Sequence, residues 1–68
     1  MTASNNDLLR VRYRDACKAY RAHARIIDES TKRGRRPLDA ELRAEAHALS
    51  ELTEARQALL AAISDPAN

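Results

Sequence analysis

Apolar positions in the first half of the chain return every three or four residues. Leu9, Tyr13, Ala16, Tyr20 and Ile27, with His23 completing the series, are spaced 4-3-4-3-4. At about 100° per residue, that spacing gathers them on one side of an α-helix. Ser4, Asn5, Asn6 and Asp7 form a helix-start cluster, with Ser4 and Asp7 spaced as a capping box. Lys32 and Arg33 suit a helix C-terminus, and Gly34 stands where a left-handed residue closes one. Pro37 forbids simple continuation and biases Arg36 away from helix. Asp39 is then the expected N-cap of a second helix, with Glu41 in its first turn.

The second stripe runs through Leu38, Leu42, Leu49, Leu52, Leu59 and Ile63, and polar Glu45 and Arg56 fill the two intervening heptad positions. Asp65 and Pro66 end it. The pattern predicts one domain over residues 1–68, with helix 1 at about 6–32, a basic turn at 33–38 and helix 2 at about 39–64. Helices joined by so short a link fold back antiparallel. Counting outward from the turn sets Ser30 near Leu42, His23 near Leu49, Tyr20 near Leu52, Tyr13 near Leu59 and Leu9 near Ile63. The expected fold is all-α, an antiparallel two-helix hairpin with both stripes facing inward.

Each helix carries more apolar width than one neighbour can cover. Leu8, Val11, Ala19, Ala22 and Ile26 form a second flank on helix 1, interrupted by Arg12 and Asp15. Helix 2 shows Ala44, Ala48, Ala55 and Ala62 beside its leucines. A helix with two neighbours needs such a wide arc. The reading is therefore a homodimer forming a four-helix bundle, with Leu8, Val11, Ala19, Ala22 and Ile26 at the dimer interface.

Length points the same way. A 68-residue chain has a core that contributes only about 3–5 kcal/mol of net stability. Cys17 is the only cysteine, so no internal disulfide forms, and Cys17, His23 and His47 lack ligand-type spacing for a metal. Oligomerisation or docking on a partner remains. With no Trp and no Phe, strands are poorly supported. Met1–Asp7 is polar, unlike a signal peptide, and no run approaches the ~20 apolar residues that span a bilayer. A soluble, cytoplasmic protein without membrane contact is expected. Ten arginines against two lysines, with abundant alanine, suggest GC-rich coding and a bacterial or phage source.

Charge adds the candidate chemistry. Residues 1–36 hold ten Lys/Arg against four Asp/Glu, a balance of +6, and residues 37–68 hold two against six, a balance of −4. Arg10, Arg14, Lys18, Arg21 and Arg25 are spaced 4-4-3-4, which places them within about 80° of one another, opposite the seam. Such a row can follow a phosphate backbone or meet an acidic protein surface, and otherwise is simply solvated. Both tyrosines fall on the seam, leaving no aromatic on the polar arc for base stacking.

The turn Lys32-Arg33-Gly34-Arg35-Arg36-Pro37 is the densest cationic cluster. It resembles the Arg-Gly-Arg-Pro core of AT-hook segments, which insert into the DNA minor groove, with an extra arginine interrupting that core. The whole architecture looks like that of ROP-type RNA-binding hairpins, which dimerise into four-helix bundles; the likeness is one of shape, without shared residues.

There is no glycine-rich phosphate loop, no nucleophile–base constellation and no carboxylate pair in a credible pocket. The chain is read as no enzyme, with no cofactor, metal or small-molecule substrate. The expected function is a small regulator or adaptor, such as an inhibitor or antiactivator, that binds another protein. Its partner-binding candidates are Arg10, Arg14, Lys18, Arg21, Arg25, Arg33, Arg35 and Arg36. The alternative is a dimeric nucleic-acid-binding bundle using the same basic face and turn.

Overall fold

The computed structural model describes residues 4–64, so Met1–Ala3 and the expected stop at Asp65 and Pro66 lie outside the described residues. Two helices, α1 (Asn5–Lys32) and α2 (Asp39–Ser64), pack against each other as a hairpin, and no strand occurs among the described residues. α1 starts as its sequence implies. The Asp7 N–H donates to Ser4 Oγ at 3.1 Å, so one of the orphan donors of the first turn is satisfied.

The end of α1 is a Schellman motif. The Gly34 N–H donates to the Thr31 carbonyl at 3.0 Å and the Arg35 N–H to the Ser30 carbonyl at 2.9 Å. Gly34 takes φ +71°, a left-handed conformation that any side chain would strain. Ser30 is buried beneath this turn, and Arg35 Nη2 donates to its hydroxyl at 3.2 Å.

α2 spans Asp39–Ser64, the expected range, but its N-cap is Leu38 and not Asp39. The Leu42 N–H donates to the Leu38 carbonyl at 3.0 Å, and the Leu38 N–H donates to Glu41 Oε1 at 2.8 Å. Leu38 thus stands at the N-cap and Asp39 is the first helical residue. Glu41 supplies the returning arm of a capping box, while Asp39 still meets the positive end of the helix dipole.

The α1 seam lies where its period places it: Leu9, Tyr13, Ala16, Tyr20, His23 and Ile27 are all half-buried. The α2 seam does not. Ala48 and Ala55 are the buried hydrophobic residues, whereas Leu38, Leu42, Leu49 and Ile63 are 61%, 37%, 46% and 55% exposed. The row meeting α1 is Glu41, Glu45, Ala48, Leu52, Ala55, Leu59 and Ala62, again spaced 4-3-4-3-4-3. This corrects the inward leucine stripe at Leu38, Leu42, Leu49 and Ile63, while Leu52 and Leu59 are half-buried as expected. The reason is volume. Two tyrosines and two large aliphatics already fill the α1 side, and alanines opposite let the helices approach without overpacking.

Candidate functional site

With a shared core of two alanines, the candidate sites are surfaces, and the hairpin has three. The first is the cation row. Arg10, Arg14, Lys18, Arg21 and Arg25 are all exposed on α1. Among the described residues, no ion pair involves Arg10, Lys18, Arg21 or Arg25, and Arg14 approaches only its exposed neighbour Asp15, at 3.9 Å. A pair so exposed contributes little. No described α2 carboxylate reaches the row. Five cations along roughly 22 Å of helix therefore present donors and positive potential outward.

The turn does not act as one cluster. Arg33, Arg35 and Arg36 are exposed, yet Arg35 is tied to Ser30 and braces the α1 terminus. Lys32 pairs with Asp28 at 3.0 Å across one helical turn. Arg33 and Arg36 remain on the solvent side of the connection.

The second surface is the α1 flank. Leu8, Val11 and Ile26 are 58%, 44% and 45% exposed, and Ala19 and Ala22 are exposed with them. Near the turn this flank opens into an apolar groove of ≈ 240 Å³ lined by His23, Ile26, Ala40, Glu41 and Ala44. The groove fixes the sidedness of the hairpin. Ile26 lies beside Ala40 and Ala44, whereas Leu42, about 200° around α2 from Ala40, departs on the other side.

That other side is the third surface: Leu38, Leu42 and Leu49, continued by Leu60 and Ile63, the last two 51% and 55% exposed. Leu60 belongs to neither stripe read from the sequence. Its only signal there is that it follows Leu59, so a helix already supplied with an inner leucine carries another beside it. The hairpin thus shows two apolar faces on opposite broad sides, one made by α1 and one by α2.

The half-buried Cys17 and His23 stand on or beside the α1 seam. No cluster of potential metal ligands occurs among the described residues, and no described helix is long and apolar enough to cross a membrane. Comparison with protein families, curated proteins and solved structures gives no match.

Proposed function

We propose that this chain is a small non-enzymatic adaptor or regulator that works as a homodimer and binds another protein. One observation carries the reading: among the described residues, eight large aliphatic side chains are exposed while the buried hydrophobic ones are Ala48 and Ala55. A monomeric soluble protein rarely leaves so much apolar surface uncovered, and a chain this short draws little stability from within. Two apolar faces on opposite sides also allow two occupants at once, a second copy on one and a partner on the other.

The α1 side suits the partner. Its Leu8–Ile26 flank runs alongside Arg14, Lys18 and Arg25, so anchors and cationic rim adjoin on one helix. An acidic protein segment with apolar anchors complements both. The unpaired cation row also supports the second reading, a dimeric bundle that binds nucleic acid through its phosphates. Affinity capture from a bacterial lysate, with and without nuclease, separates the two. A defined protein band that survives nuclease is the expected result, and recovery that vanishes with nuclease would favour the second reading.

A further inference from the structure

The α2 row has a symmetry that its polar members reveal. Leu38, Leu42, Glu45, Leu49, Leu52, Arg56, Leu59 and Ile63 are spaced 4-3-4-3-4-3-4, the period of a helix that meets a second helix along its length. Laid against another α2 running the opposite way, with the two-fold axis between Ser50 and Glu51, the row meets itself. Leu38 faces Ile63 of the other copy, Leu42 faces Leu59, Leu49 faces Leu52, and Glu45 faces Arg56.

Any row of this spacing can be laid on itself. The particular feature is that the two non-aliphatic positions are each other's partners and have opposite charge. A parallel pairing would set Glu45 on Glu45 and Arg56 on Arg56. Sliding the antiparallel pair by one heptad would set Glu45 against Leu49 and Arg56 against Leu38. One orientation and one register satisfy both charges, which is how polar residues in an apolar row specify pairing.

We propose that this α2 row is the seat of a second copy of the chain, in an antiparallel two-fold contact whose register Glu45 and Arg56 fix. The inference rests on the homodimer reading and moves its interface from the α1 flank of Leu8, Val11, Ala19, Ala22 and Ile26, where the sequence pattern set it, to the outer row of α2. Leu38 adds an independent indication. It occupies an N-cap position, where leucine is among the poorest residues and Ser, Thr, Asp or Asn the best, yet it is 61% exposed. A leucine that weakens its own helix start without being buried fits a role in covering another surface. The geometry also permits it. The α2 row is centred roughly 60° around the helix from the row that meets α1, so the two seams overlap at one edge and diverge at the other. Glu45, Leu52 and Leu59, half-buried beside α1, belong to both rows and sit between the two seams.

The test is a charge exchange read by sedimentation equilibrium, with circular dichroism as the check on helix. Glu45→Arg alone and Arg56→Glu alone each set like charges together twice per dimer, so each should raise the dimer dissociation constant about tenfold or more. The double variant, and an equimolar mixture of the two single variants, should recover wild-type pairing. Arg56 is exposed in the single hairpin, so Arg56→Glu decides alone if Glu45→Arg loses helix. Single variants that pair like wild type, or a double variant that stays weak, would overturn the contact. A dimer indifferent to these changes but broken by Val11→Asp with Ile26→Asp would place the second copy on the α1 flank, overturning this face while keeping the homodimer. A wild-type chain that remains monomeric at every concentration would overturn both.

Discussion

α1 and α2 bring opposite kinds of side chain to the seam they share. α1 contributes bulk through Leu9, Tyr13, Tyr20 and Ile27, while the fully buried part of α2 is Ala48 and Ala55. The helix richer in leucine is the one that turns leucines outward. The difference teaches that a stripe announces a contact without saying with what. In an interior packed near crystal density, bulk on one wall calls for small residues on the other. The leucines displaced from the inner seam are then available for a second one.

The sharpest way to break this comparison is to add bulk where α2 has none. Ala55 is 1% exposed, so Ala55→Leu should destabilise the hairpin by about 1–3 kcal/mol through overpacking against α1. Leu49→Ala should cost only about 1 kcal/mol in dilute solution, because Leu49 is 46% exposed and surrenders about half its burial. Its cost should grow with protein concentration if the outer row pairs. Urea melts across a concentration series measure both. A Leu49→Ala penalty larger than that of Ala55→Leu in the dilute limit would mean that α2 is turned the other way.

The helix ends offer a smaller contrast. α1 closes with a glycine that its geometry requires, whereas α2 opens with a leucine that its geometry does not favour. A Cβ at Gly34 would meet nothing within 4 Å, so the cost of Gly34→Ala is the left-handed conformation alone, φ +71°, or about 1–2 kcal/mol. Thermal melts should register it at any protein concentration, unlike the effect at Leu49. No loss at Gly34 would mean that the turn relaxes to another conformation and that the Ser30–Arg35 brace is dispensable.

Much of the hairpin is legible in the chain itself. Ser4, Gly34 and Pro37 punctuate it within a residue of the observed bounds, because caps and turns depend on local backbone chemistry. The α1 seam is equally legible, since its bulky residues form a single row opposite a charged one. The rotation of α2 is not. Its alanine row and its leucine row both keep helical period, and hydrophobicity alone favours the leucines. Only the volume already committed by Tyr13 and Tyr20 decides between them, and that is a property of the pair. Among the surface candidates, the exposed cation row was visible as a row. The diversion of Arg35 to the Ser30 hydroxyl was not, because it depends on a turn that buries that serine.

The outward sides complete the contrast. α1 turns a continuous cationic row to solvent, while the corresponding side of α2 mixes Arg43 and Glu54 with Ser50 and Gln57. Replacing Arg14, Lys18 and Arg21 together by glutamine should move the melt least of all, within about 0.5 kcal/mol, since glutamine keeps helix propensity and the sites are exposed. Among the described residues, the one ion pair removed is the 3.9 Å approach of Arg14 to Asp15, on the surface. Binding should respond far more than stability. If the row grips phosphates, affinity falls steeply with salt and the triple variant flattens that slope by about two to three units, close to one for each cation replaced. If it meets an acidic protein, the weakening is confined to that partner and appears first in the association rate, where opposite charges steer the encounter. We expect the second outcome, with weak and unselective nucleic-acid binding at physiological salt. A tight, structure-selective nucleic-acid complex abolished by the triple substitution would reverse the order of the two readings and make α1 the helix that reads a polyanion.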